Sequence, residues 1–296
     1  MNLITRELWH GVNNALPRHP FLWYPLRYTR PAVKRAFWVE FTPTVMLMFA
    51  TFAALVLWMA YGIAPLSLVL ILDTYAGVVI ARGVSRAVQD ARRHGLLDLM
   101  GVTTSGSIGA VWAVMTRYVR SDSLLSGLHQ AAAWLHAMWL FAVSAFGGLV
   151  ILTACGGDAF RFSDVGRLLY QPAMLLNGFA VFAIMMLDYI GALVAGSIVG
   201  MMIPTLGAAA ADFALLSPVV LISVQVAHYA LALILHAALT MVLSAVGLMS
   251  DWSSTVVFVI AFIAARELSL RGLCVMFARH MNSSVREVVT IYRRSL

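Results

Sequence analysis

Two aspartates stand alone in long apolar runs, and they are the first residues that could do chemistry. Asp73 interrupts LSLVLILDTYAGVVIA and Asp188 interrupts FAVFAIMMLDYIGALVAG. A carboxylate in hydrocarbon costs about 2.5–3.5 kcal/mol on insertion scales, so each needs a partner, a proton or a water-filled path. Two readings stay open: a substrate or proton role, or local satisfaction by Thr74, Tyr75 and Tyr189. With a rise of 1.5 Å per residue, Asp73 falls about 10 Å and Asp188 about 24 Å from the outer ends of their helices, which separates the two in depth.

Histidines form a second set. His129 and His136 lie in one apolar segment and His228 and His236 in another, and neutral imidazole is a ready axial ligand for haem. Helix depth leaves only His136 and His228 as a conceivable cross-helix pair, about 15 and 22 Å from the inner ends of their helices. No haem-attachment motif accompanies them, and Cys155 and Cys274 form neither a C-x-x-C pair nor a disulfide framework. No Ser-His-Asp order, glycosidase carboxylate pair or H-E-x-x-H motif stands out, and the phosphate loop G-x-x-x-x-G-K-[ST] is missing. The expectation is a chain that is not an enzyme, with no catalytic residues, no metal site and no cofactor of its own.

The elements that carry these residues are apolar and long. Of 296 residues, 61% are hydrophobic and 11% charged, against about 45–50% and 25% in a soluble domain. Mean hydropathy is +0.88. Six segments approach or exceed the length a bilayer requires: Pro43–Ile63, Leu66–Ala87, Ser126–Ala154, Pro172–Ile203, Phe213–Gly247 and Ser253–Arg271. The fold class expected is all-α: a polytopic membrane protein of about six transmembrane helices. Gly191, Ala195, Gly196 and Gly200 form a ridge of small residues suited to close helix packing, within the chain or between copies.

The 20 Lys and Arg residues distribute unevenly. Six precede the first segment, none lies between the first two, six run from Arg82 to Arg120, two from Arg161 to Arg167, and six from Arg266 onward. With the amino terminus inside, 18 of the 20 are cytoplasmic, which predicts both ends in the cytoplasm of a cell (plasma or inner) membrane protein. The net charge of +7 therefore reads as topology, since no nucleic-acid-binding motif accompanies it.

Residues 1–42 read as an interfacial arm, in which Arg6, Arg18, Arg27 and Arg30 mix with Trp9, Trp23, Tyr24 and Trp38. Residues 43–277 form the six-helix domain, and residues 278–296 a basic tail. The internal loop 82–127 carries short apolar helices, whose partner is the bilayer, the rest of the chain or another protein.

That loop holds Arg92-Arg93-His94-Gly95-Leu96-Leu97-Asp98-Leu99-Met100-Gly101-Val102-Thr103. It resembles the segment between the second and third spans of ABC-2 type permeases, the transmembrane subunits of one class of ATP-binding-cassette transporters. The resemblance implies that Gly95 opens a coupling helix, that Leu96, Leu97, Leu99 and Met100 give its apolar body, and that Asp98 and Thr103 occupy the acidic and threonine positions. It also implies an ATPase subunit as partner, ATP bound there, and a second permease copy or homologue. Thr104 stands where the family usually has proline, and Ala91 where an acidic residue is common. These departures motivate an alternative: a non-transporting membrane subunit of a larger, energy-converting complex that keeps a permease-like fold.

Overall fold

The computed structural model describes residues 66–101, 106–155, 172–206, 213–248 and 251–282, and these are helical with no strand among them. The helices are α1 (Leu66–Arg93), α2 (Leu96–Gly101), α3 (Gly106–Ser121), α4 (Ser123–Cys155), α5 (Pro172–Thr205), α6 (Phe213–Ala245) and α7 (Asp251–His280). The amino-terminal arm, the segment Pro43–Ile63, Thr103, Thr104, the connection 156–171 and the tail beyond Asn282 lie outside the described residues.

α1 does not stop where its apolar run stops. Ala76, Ile80, Val84, Val88 and Ala91 are buried, while Arg82, Arg86, Asp90 and Arg93 are exposed. That spacing is one apolar stripe opposite one charged stripe, and it carries the helix six residues past Ala87, into what the hydropathy pattern assigned to the loop. Arg92 and Arg93 then complement the helix dipole, and Arg92 Nη1 donates to the Pro204 carbonyl at the end of α5 (2.8 Å). Gly95 closes α1. Its φ of +68° is left-handed, and its N–H donates to the Arg92 carbonyl (3.0 Å).

α5 is the central helix, with every residue from Ala192 to Ile203 buried. The small-residue ridge explains its fit to α1. A Cβ at Gly196 would run into the Gly77 carbonyl, and one at Gly200 would sit 2.8 Å from the Ala81 carbonyl. The two backbones are therefore nearly touching, so this ridge packs within the chain. α3 lies under α1 and α2 and buries Ile108 and every residue from Ala110 to Thr116.

α6 is one uninterrupted helix of 33 residues. Ser217, Leu221, Gln225, His228 and Ala232 make its buried face, whereas Leu215, Val219, Val226, Leu233, Met241 and Val242 are exposed. Among the described residues two helices are long and apolar enough to cross a membrane: α5 over Leu175–Thr205 and α6 over Leu215–Ala245. Only 22% of the most apolar window of α6 is buried, which leaves a long apolar face exposed. The apolar part of α4, Ala132–Ala145, is shorter, yet exposes Trp134 and Phe141.

Candidate functional site: a buried ionic cluster

Asp73 and Asp188 lie at the same level, correcting the separation expected from helix depth. Gly77 of α1 faces Ala192 and Gly196 of α5. Asp73 and Asp188 each stand four residues before Gly77 and Ala192 on helices running the same way. The depth argument assumed that both helices begin at one plane, but the small-residue seam sets the register and leaves α5 starting several turns beyond α1. Asp73 is consequently close enough to feel the charges of both Asp188 and Arg266.

Arg266 is the residue that sequence reasoning misassigned. Counted among the cytoplasmic cations although it falls inside the segment Ser253–Arg271, it is 3% exposed and engages Asp188. Its Nη2 stands 2.8 Å from Asp188 Oδ1 and donates to the Asp188 backbone carbonyl at 2.6 Å, while Nη1 donates to Gln225 Oε1. The cause lies on α7, which stays helical to His280 and keeps burying side chains beyond Arg271, at Leu273, Cys274 and Phe277. Gly191 makes room for it: a Cβ there would collide with the guanidinium.

The second oxygen of Asp188 is held by α6. Tyr229 donates its hydroxyl to Asp188 Oδ2 at 2.9 Å and lies 3.0 Å from Thr74 Oγ1, which donates in turn to the Leu70 carbonyl at 2.8 Å. His228, fully buried, brings Nε2 to 3.9 Å from Asp188 Oδ1, outside hydrogen-bond reach. Its ring packs against Phe262 (4.8 Å) and Tyr229 (5.2 Å) instead. Asp73 Oδ2 and Gln225 Nε2 are buried with no hydrogen-bond partner, and Asp188 Oδ1 and Arg266 Nε, for all the closeness of the ion pair, make no hydrogen bond.

His136 belongs to a different wall. It packs edge-on between α4 and α5 against Tyr189 (5.8 Å) and Phe182 (6.3 Å). His136 and His228 thus each have aromatic neighbours of their own, and no group of three metal-ligating side chains occurs among the described residues. Gln225, His228 and Tyr229 share a face of α6 at i, i+3 and i+4, and that polar stripe in an apolar helix was the signal available for Gln225 and Tyr229.

The segment resembling a coupling helix sits at the other end of α1. Leu96 and Leu97 are half-buried, Leu97 against Ala110 and Ala113 of α3, while Arg92, Arg93, His94 and Asp98 are exposed. The side chains of Leu99 and Met100 lie outside the described residues.

The chain matches no protein-family model, no curated protein and no solved structure.

Proposed function

We propose that this chain is a permease-like transmembrane subunit of an ABC-2 type transporter, with six spans, both ends in the cytoplasm of a cell membrane, and energy supplied by a separate ATPase subunit. One observation carries the reading beyond composition. The capped corner at Gly95 turns α1 into a short helix that seats one apolar face on α3 and turns charge outward at Asp98. A helix held this way transmits force to the body of the protein, because its apolar side is packed and its polar side is free for a partner. In this arrangement α4 and α6 present their exposed apolar side chains to lipid, and two copies, or this chain and a relative, enclose the transport path.

The experiment is purification of the full-length chain from its native membrane, with identification of any ATPase subunit that comes with it and an ATPase assay of the complex in proteoliposomes. Asp98→Lys reverses the one exposed acidic charge on α2 and should abolish stimulation of the ATPase while leaving thermal stability unchanged. A chain that purifies alone, or with subunits that are not ATPases, would instead favour the energy-converting complex without transport. Labelling α2 from outside intact cells would overturn the topology.

A further inference from the structure

Among the described residues the ionic cluster does not balance. Asp73 and Asp188 bring two carboxyl groups to one buried level, and Arg266 is the guanidinium bonded there, directed at Asp188. Glu267, the neighbouring acid on α7, is set against Arg271 Nε at 3.7 Å, so Arg271 is taken by another carboxylate. His228 offers no compensation either, since its Nε2 stands 3.9 Å from Asp188 Oδ1, beyond hydrogen-bond reach, and its ring packs on Phe262 and Tyr229. His136 turns its ring to Tyr189 and Phe182 of α5, and its Nε2 is bonded to neither acid. An uncompensated carboxylate in so dry a site carries a large solvation cost, which a bound proton removes.

A route to the site is also present. From Asp188 Oδ2 the hydroxyls of Tyr229 and Thr74 follow at 2.9 and 3.0 Å, and Thr74 is only half-buried. We propose that Asp73 and Asp188 together form a binding site for one exchangeable proton, reached through the hydroxyls of Tyr229 and Thr74. In the filling step Tyr229 gives its proton to Asp188 Oδ2 and takes one from Thr74, whose hydroxyl turns from the Leu70 carbonyl to Tyr229 to give it and takes one in its place from a water reaching its half-buried side. One O–H bond breaks and one forms at each hydroxyl, and the net change is one proton moved from solvent to the carboxyl pair. Asp188 keeps Arg266 as its counter-ion, so the proton resides with the pair and not with a single named oxygen. The site belongs to the membrane body of the chain and does not depend on ATPase docking.

The test is infrared spectroscopy of the purified full-length chain in lipid nanodiscs, reading the carbonyl stretch of a neutral carboxylic acid near pH 7. The wild type should show one such band, shifted by deuterium, and Asp73→Asn should delete it, because the remaining Asp188 is balanced by Arg266. Tyr229→Phe should keep the band and slow its hydrogen–deuterium exchange about 10²-fold, the lower range for a positioned proton-transfer group. Glu267→Gln should change neither. A wild type without the band overturns the site whether or not any variant folds, and a band surviving Asp73→Asn does the same. Equal exchange rates in Tyr229→Phe and wild type overturn the route. No ATPase is needed, so a failed docking experiment and a failed proton site are separate results.

Discussion

Removing Arg266 isolates the buried ion pair with Asp188. The guanidinium and the Asp188 carboxylate are 2.8 Å apart and 4% and 0% exposed. With an effective dielectric of about 20 their attraction is about 6 kcal/mol, of which desolvation of the two ions takes back several. Arg266→Met leaves Asp188 with the Tyr229 hydroxyl alone, and should cost about 3–5 kcal/mol, the range for breaking one side of a buried pair. Asp188→Asn should also destabilise, because the guanidinium loses its ion-pair partner and keeps Gln225, a backbone carbonyl and the more distant Asp73. The double variant removes both charges together, so its cost should fall short of the sum by about 2–3 kcal/mol. Equilibrium unfolding in mixed micelles, followed by circular dichroism, measures all four corners of the cycle. Additivity within about 0.5 kcal/mol would refute the pairing and with it the charge count that leaves Asp73 over.

Three further outcomes follow from local geometry. Gly95→Ala should destabilise by about 1–2 kcal/mol and Gly95→Asn by less, since φ is +68° and no atom lies within 4 Å of the place a Cβ would take, making the cost one of backbone alone; the same unfolding assay reads it. Gly196→Ala should cost about 1–3 kcal/mol, because the new methyl enters the Gly77 carbonyl and both partners are helix backbone that cannot step aside. Cys274, 1% exposed, should resist maleimide in the folded protein and react once it is unfolded in detergent, as mass spectrometry of the labelled chain will show.

The helices were legible and their register was not. Hydropathy placed α4, α5 and α6 within three residues at either end, because long apolar runs admit no other hydrogen-bonded form. It cut α1 and α7 short, since both continue as amphipathic helices whose charged faces lower any window average while Val88, Ala91, Leu273 and Phe277 stay buried. Asp73 and Asp188 could be singled out from sequence as costly residues. Their proximity could not, because it depends on which glycine meets which carbonyl across the α1–α5 seam. Arg266 was hidden for a related reason: a cation just inside the end of an apolar run looks the same whether it caps the span or turns inward, and only the gap left at Gly191 distinguishes the two.

The two candidate sites are joined by one element. α1 runs without interruption from Asp73 to the cap at Gly95, about 33 Å at 1.5 Å per residue. Along that length it is locked to α5 at Gly77–Gly196 and Ala81–Gly200 and tied at its end by Arg92 to the Pro204 carbonyl. A helix so clamped moves with α5 as one body, so a push on α2 cannot slide α1 past α5 and cannot separate Asp73 from Asp188. The groups that join the α1–α5 pair to α6 and α7 at the carboxyl level are Tyr229 and Arg266. On the proposed reading, motion delivered at α2 reaches the carboxyl pair as a change in its counter-ion and in its hydroxyl contact. The carboxyl groups themselves stay together, which is the arrangement needed to load and release a proton without exposing either acid to lipid.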